Sequence, residues 1–157
     1  MQARATLAGL ALALGALTRA LGRDVHISEL QFAPDEKPRL GQTHSAGAAA
    51  DFSIAHSGPY VGCAALCGGR VGLDVEVGED ERLESWVARE AVVKAAGLGM
   101  RAIQDVELCG ALARCRGEHW HARRLEQFTG AAACVMTSVA VAAVEARQVP
   151  LAELFAP

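Results

Sequence analysis

Two carboxylates occur two residues apart in an apolar run, at Asp74 and Glu76 of the segment VGLDVEV. Because side chains alternate along a strand, both acids would project from one face, opposite Leu73, Val75 and Val77. Like charges held this close repel each other unless a cation or a basic group neutralises them, and carboxylate oxygens suit Mg²⁺. The spacing therefore predicts a magnesium site or, as the simpler alternative, a solvated acidic face of a sheet.

A second group of polar residues follows at helical spacing. Trp86, Glu90, Lys94 and Gly97 are separated by steps of four, four and three residues, which place them along one side of a helix. Glu90 would add a third carboxylate to the metal site, and Lys94 would lie near any phosphate that the metal holds. The alternative is an ordinary surface ion pair between Glu90 and Lys94, which contributes only ~0.3–0.5 kcal/mol.

The histidines and cysteines give weaker signals. His56 ends the apolar run FSIAH, where a lone histidine is more often a hydrogen-bonded structural residue than a catalyst. The other histidines show no metal-ligand spacing; they are His26, His44, His119 and His121. The five cysteines form no Cys-x-x-Cys pair, which favours reduced, core-filling thiols and a cytoplasmic protein.

The N-terminal segment predicts the first of two helices. Leucines at positions 7, 10, 14, 17 and 21 form a core-facing stripe that Gly22 ends. A signal peptide is the alternative interpretation, and the apolar run is too short for a membrane span. The second helix is expected from about residue 81 to Ala96, with Asp80 as N-cap and Gly97 as the stop.

Strands are expected over 25–32, 52–56, 61–66, 71–77, 106–108 and 131–144, with a hairpin over 111–124 that turns at Gly117. Residues 51–77 are interpreted as an antiparallel meander, and 41–50 as a connector. A helix followed by strands occurs twice, which predicts an α+β fold of two similar halves, each a helix packed on a small antiparallel sheet.

Composition limits the function classes. A chain of 157 residues, 52% hydrophobic, predicts a single globular domain, 1–157. The formal net charge of -3 argues against a nucleic acid partner. The sequence also has no run of basic residues longer than Arg123-Arg124. Aromatic residues make up 4%, too few for the stacking platforms that bind single strands.

Taken in order, four segments resemble the motif series of the Sfp-type 4′-phosphopantetheinyl transferases. The segments are Lys37-Pro38, FSIAHS at 52–57, VGLDVE at 71–76 and WVAREAVVK at 86–94. The last two have the forms G-x-D-x-E and W-x-x-[KR]-E-A-x-x-K, and the resemblance covers most of the chain. It implies a pseudo-dimer with halves of about 1–68 and 69–157, the nucleotide lying between them, and a shortened N-terminal half.

The resemblance also implies an activity: transfer of the phosphopantetheine arm of coenzyme A to a serine of an acyl or peptidyl carrier protein, as in fatty acid or polyketide biosynthesis. Asp74, Glu76 and Glu90 would hold Mg²⁺, and Glu90 would help to deprotonate the serine. Lys94 would contact the pyrophosphate and stabilise the departing 3′,5′-ADP. Lys37 and His56 would lie around the nucleotide. The protein is expected to be a monomer, with a dimer as the alternative, and to bind no membrane.

Some positions depart from the family's usual pattern. Glu36 stands where glycine usually precedes Lys-Pro, Ala55 replaces the serine before the histidine, and Arg89 replaces lysine. The stretch 77–85 is also shorter than usual. Two alternatives therefore stay open beside the transferase: a non-catalytic relative that binds a carrier protein or coenzyme A without turnover, and a different Mg²⁺-dependent enzyme acting on phosphoesters or pyrophosphates.

Overall fold

The protein combines helices with antiparallel sheet, which confirms the predicted α+β class. The structure is a computed structural model that describes residues 2–34, 36–41, 49–78 and 80–154. The helices are α1 (Gln2–Leu21), α2 (Glu81–Ala96) and the short α3 (Leu151–Leu154). The strands are β1 (Leu30–Gln31), β2 (Arg39–Leu40), β3 (Ala50–Ser57), β4 (Tyr60–Cys67), β5 (Val71–Val77), β6 (Val106–Cys109), β7 (Leu112–Cys115), β8 (Glu118–Arg124) and β9 (Ala131–Thr137).

Helix α1 packs on the hairpin of β3 and β4, and all the leucines of the predicted stripe except Leu7 belong to the core between them. Leu17 is fully buried, and it shares a core with Phe52 on β3. Leu7, at the start of the stripe, is instead 57% exposed. Gly22 follows the helix with a φ of 64°, a conformation that glycine adopts without a steric penalty. The predicted helix and its end are therefore confirmed.

The expectation that the N-terminal run is too short for a membrane span needs correction, because the helix Ala3–Leu21 has the length and composition of one. Ala3–Leu21 has a mean hydropathy of 1.2, and 22% of it is buried within the protein. The core helix of a soluble protein and a signal sequence share these properties. What the structure adds is the packing of α1 against two strands.

Helix α2 packs on a five-stranded antiparallel sheet with the order β5-β9-β8-β7-β6. Its predicted ends are confirmed, because the Leu83 amide donates to the Asp80 side chain and Gly97 has a φ of 68°. The buried face of α2 meets the fully buried Trp120 and Met136 of the sheet. The hairpin of β7 and β8 also turns at 116–117, as predicted.

The predicted meander is wrong at its last strand. Strand β5 pairs with β9 along its whole length, whereas β3 and β4 form a separate two-stranded sheet. The other edge of β5 runs parallel to β3 and is joined to it by side chains. The amides of Val71, Leu73 and Val77 donate to the side chains of Asp51, Ser53 and Ser57, at 2.7, 3.0 and 3.2 Å. We call this row of bonds the seam.

Two further strand predictions need correction. Within 25–32, only β1 is a strand, because Ile27–Glu29 forms a 3-10 turn in which the His26 amide donates to Glu29. The strand predicted over 131–144 stops at Thr137, where its neighbours in the sheet also end their pairing. Most of the connector 41–50, including His44, lies outside the described residues.

Candidate functional site

The site begins with Gly72, where β5 meets α2 backbone to backbone. A Cβ at this position would overlap the carbonyl oxygen of Ala91 and lie 2.5 Å from the amide nitrogen of Ala95. Only a residue without a side chain therefore permits this approach. The glycine of the G-x-D-x-E motif thus sets the distance between the strand that carries Asp74 and the helix that carries Lys94.

Asp74 and Lys94 form a close ion pair across this contact. Lys94 Nζ lies 2.5 Å from Asp74 Oδ1, and the Asp74 side chain is only 3% exposed. Glu90, one turn earlier on α2, places Oε2 at 3.7 Å from the same Nζ, with 14% of its side chain exposed. The Lys94 ammonium, itself 30% exposed, therefore serves two carboxylates and still reaches solvent. The Glu90–Lys94 ion pair is therefore present, but the lysine is shared with the buried Asp74.

The charge of Asp74 is only partly compensated within the site. Asp74 Oδ2 is buried without a hydrogen-bond partner among the described residues. The pKa of Asp74 is raised from 3.8 to about 6; burial is the main cause, the negative charges of Glu90 and Glu76 add to it, and Lys94 opposes it. An orphaned carboxylate oxygen and a pKa raised by burial both show that the charge of Asp74 is incompletely compensated.

Glu76 is positioned by a residue from the other sheet. Ser57, the last residue of β3, donates its hydroxyl to Glu76 Oε2 at 2.7 Å. The same hydroxyl oxygen accepts the amide of Val77 at 3.2 Å. Glu76 therefore shares a strand with Asp74 but is held through the seam rather than by Lys94.

The donor set fits Mg²⁺ in its chemistry. Three carboxylates with one ammonium leave excess negative charge, and hard oxygen ligands suit this ion. In the described part of the chain, however, no three His, Cys, Asp or Glu side chains are gathered closely enough to hold a metal ion. Lys94 occupies the place between Asp74 and Glu90. The magnesium assignment of Asp74, Glu76 and Glu90 thus stays a prediction.

Lys37, which the resemblance implies lies near the nucleotide, has two oxygen partners within the protein. Its Nζ donates to Asp51 Oδ2 at 2.6 Å and to the carbonyl oxygen of Val71 at 2.8 Å. Burial lowers the pKa of Lys37, and the hydrogen bond and the charge of Asp51 oppose that shift. Lys37 therefore secures the start of β5 to β3, which is a structural role.

His56 is exposed near the opposite end of β3. It lies five residues from Asp51, the partner of Lys37, which corresponds to about 16 Å along a strand. An odd number of steps also puts the two side chains on opposite faces. The structure consequently does not bring Lys37 and His56 together, although His56 directly precedes Ser57 at the carboxylate end of the seam.

Trp86, aligned with Glu90 and Lys94 in the sequence, is 44% exposed. It borders a shallow depression of about 390 Å³ on the outer side of α2, together with Arg82 and Arg89. Arg89 also donates to the carbonyl oxygen of Val106, which ties α2 to β6. This depression is a feature of the outer helix surface, distinct from the carboxylate cluster on β5.

Sequence reasoning missed the contributions of Asp51 and Ser57. Both lie on the face of β3 that meets β5, together with Ser53 and Ala55. The signal was available: polar residues recur at 51, 53 and 57 in a strand whose other side chains are mostly apolar. A periodicity of two with hydroxyl and carboxylate groups indicates a polar seam against a neighbouring element.

No protein-family model matches the chain, and no curated protein matches it either. Function is therefore inferred from the motif series and from the geometry of the site.

Proposed function

We propose that the chain is a Mg²⁺-dependent 4′-phosphopantetheinyl transferase of the Sfp type, which modifies a serine of an acyl or peptidyl carrier protein. The observation that supports this most strongly is the cluster of Asp74, Glu90 and Lys94, with the orphaned oxygen of Asp74 at its centre. Coenzyme A is the proposed substrate and 3′,5′-ADP the proposed product.

The proposed roles follow from the charges of the cluster. When bound by Asp74, Glu76 and Glu90, Mg²⁺ would neutralise the pyrophosphate of coenzyme A and polarise it for attack. Glu90 accepts the proton of the carrier serine, directly or through water, as the serine oxygen forms its bond to phosphorus. The bond from that phosphorus to 3′,5′-ADP breaks, and Lys94 stabilises the charge that the leaving group acquires.

His56 and Lys37 are proposed to contact the nucleotide. The exposure of His56 supports its part in this proposal. Lys37 is only 15% exposed and already has two oxygen partners, so it would have to exchange one of them for a phosphate. We infer that Lys37 and His56 bind the nucleotide with lower affinity than two cations without internal partners would.

The pseudo-dimer belongs to the same proposal. Helix α1 packs on an antiparallel hairpin and α2 on an antiparallel sheet, which supports two related halves of about 1–68 and 69–157 in one domain. The seam between β3 and β5 would then join the halves. We further propose a cytoplasmic monomer that binds neither nucleic acid nor membrane.

The test is mass spectrometry of a panel of apo-acyl and apo-peptidyl carrier proteins incubated with the protein, coenzyme A and Mg²⁺. We expect one carrier to gain the mass of phosphopantetheine, and expect chelation of Mg²⁺ or the isosteric change Asp74→Asn to abolish the gain. Undiminished transfer by Asp74→Asn would contradict the proposed site.

A non-catalytic relative that binds a carrier protein or coenzyme A is the second candidate. The internal partners of Lys37 favour it, because they leave fewer cations for the nucleotide. It predicts binding of coenzyme A or of a carrier with no mass gain in any member of the panel. Cleavage of coenzyme A without a carrier would instead indicate the third interpretation, a hydrolytic enzyme.

A further inference from the structure

Ser57 differs from the other residues of the seam in what its hydroxyl reaches. Its oxygen accepts the Val77 amide, and its proton is donated to Glu76 Oε2 at 2.7 Å. A hydroxyl has one proton to donate, so the amide on the oxygen directs that proton toward the carboxylate. The side chain thus connects the backbone of β5 with an acid of the candidate site.

Ser53 provides an internal comparison on the same strand. Its hydroxyl oxygen accepts the Leu73 amide at 3.0 Å, four residues earlier and about 13 Å farther from the Glu76 end. Both serines are therefore twenty positions before the residue whose amide they accept. Both serines accept a backbone amide of β5 in the same way. Ser57 differs because it also donates to Glu76.

We propose that Ser57 is a positioning residue, which restrains the Glu76 carboxylate before the cation binds. A glutamate side chain loses several rotatable degrees of freedom when it binds a ligand. A hydrogen bond that already fixes one carboxylate oxygen lowers that loss, as residues behind metal ligands generally do. Glu76 lies on a strand, and a hydroxyl from a different strand restrains it. This inference rests on the proposed magnesium role of Glu76.

The experiment compares Mg²⁺ affinity by calorimetric titration of the full chain in the wild type, Ser57→Ala, Ser57→Thr and Ser53→Ala. We expect Ser57→Ala to bind Mg²⁺ about 10-fold or more weakly, since loss of a group that orients a ligand typically has an effect of that size. Ser57→Thr retains a hydroxyl and should bind like the wild type. Ser53→Ala, which loses only a seam bond, should keep its affinity.

A second measurement requires no metal. The ¹³C resonance of the Glu76 carboxyl group should shift in Ser57→Ala and stay unchanged in Ser53→Ala, because only the first change removes the hydroxyl that donates to this carboxylate. Thermal unfolding of all variants establishes that each is folded during these measurements.

The outcomes distinguish failure of the positioning role of Ser57 from failure of the proposed function. Equal Mg²⁺ affinity of Ser57→Ala and the wild type would overturn the positioning role while leaving the proposed function intact. An equal loss in Ser53→Ala would also overturn it, because the effect would then come from the seam as a whole. Failure of the wild type to bind Mg²⁺ would contradict the proposed function, and with it this inference.

Discussion

The chain contains two close lysine–aspartate pairs, one with its aspartate on β3 and one with its aspartate on β5, and they differ in how completely their charges are satisfied. In the first, Asp51 Oδ2 accepts from both Lys37 and the Val71 amide, and Lys37 also donates to the Val71 carbonyl. In the second, Asp74 meets Lys94 through one oxygen while the other has no partner in the part of the chain described.

This difference separates a structural pair from a functional candidate. Lys37 and Asp51 bond to each other and to the backbone of Val71, which joins β3 to β5. Few of their hydrogen-bonding groups therefore remain available to a ligand. The Lys94 pair lies beside Glu90 and Glu76, whose charges add to burial in raising the pKa of Asp74, and its lysine is 30% exposed. Incomplete neutralisation in a buried place is costly for stability, and it is typical of sites that bind a charged ligand.

The Asp74–Lys94 pair exists because β5 approaches α2 closely at Gly72. The substitution Gly72→Ala is therefore expected to have the largest effect on stability. The new methyl group would overlap backbone atoms of α2. We expect a loss of about 4 kcal/mol or more in the free energy of unfolding, in the range of severe core substitutions. Chemical denaturation followed by circular dichroism measures this loss.

Gly9→Ala is the matched control, because Gly9 brings α1 close to β3 as Gly72 brings β5 close to α2. A Cβ there would lie 2.7 Å from a methyl carbon of Ile54, which is a side chain and can shift. Alanine also gains about 1 kcal/mol of helix propensity over glycine. The net change should be within about 1 kcal/mol, and a loss as large as that of Gly72→Ala would contradict this account.

The second effect in size is the pH dependence that Asp74 introduces. Its pKa is about 6 in the folded protein and 3.8 as the ordinary value, so folding favours the protonated acid. This stabilisation is fully present below about pH 4 and is lost as the pH rises through 6; two pKa units correspond to roughly 3 kcal/mol.

Asp74→Asn removes this titration while keeping the shape of the side chain. The stability of the wild type relative to the variant should therefore fall between pH 4 and pH 7, as measured by urea denaturation at each pH. A stability difference between the wild type and the variant that stays constant over this range would show that the pKa of Asp74 is not raised.

The third prediction compares the two lysines. Lys94→Met removes the ammonium that competes with a cation for Asp74 and Glu90, so Mg²⁺ should bind about 10-fold more tightly in the absence of coenzyme A, even as transfer activity falls. Lys37→Met should leave Mg²⁺ affinity unchanged. Calorimetry of both variants tests this, and weaker binding in Lys94→Met would contradict the competition.

The smallest effect concerns the gap in the seam at Ala55. The constant offset of the seam places Ala55 opposite Val75, where alanine has no side-chain oxygen to accept the amide. Ala55→Ser should add about 0.5–1 kcal/mol of stability if the hydroxyl accepts that amide. Destabilisation in thermal unfolding would indicate that the buried hydroxyl finds no partner there.

Local signals in the sequence were sufficient for the helices and for the acids of the site. The leucine stripe, Asp80, Gly22 and Gly97 defined helices because caps and periodicity act within a few residues. The spacing of Asp74 with Glu76, and of Glu90 with Lys94, also predicted which polar residues share a face, since both intervals lie within single elements.

The strand errors have more than one cause. Strand β5 pairs with β9, about sixty residues later, and no nearby residue indicates that choice over β4. The 3-10 turn after α1 depends instead on local side-chain contacts that hydrophobic periodicity does not reveal, since Glu29 binds both Arg23 and the His26 amide. Ser57 escaped notice because its partner Glu76 lies on a strand of another sheet.

The most direct test of the central claim is calorimetric titration of coenzyme A into the protein with and without Mg²⁺, because it requires no knowledge of the carrier. The account predicts binding that depends on Mg²⁺ and that Asp74→Asn abolishes, since Asp74 is the buried acid with an unsatisfied oxygen. Binding that is equally strong without Mg²⁺, or no binding in either condition, would contradict it.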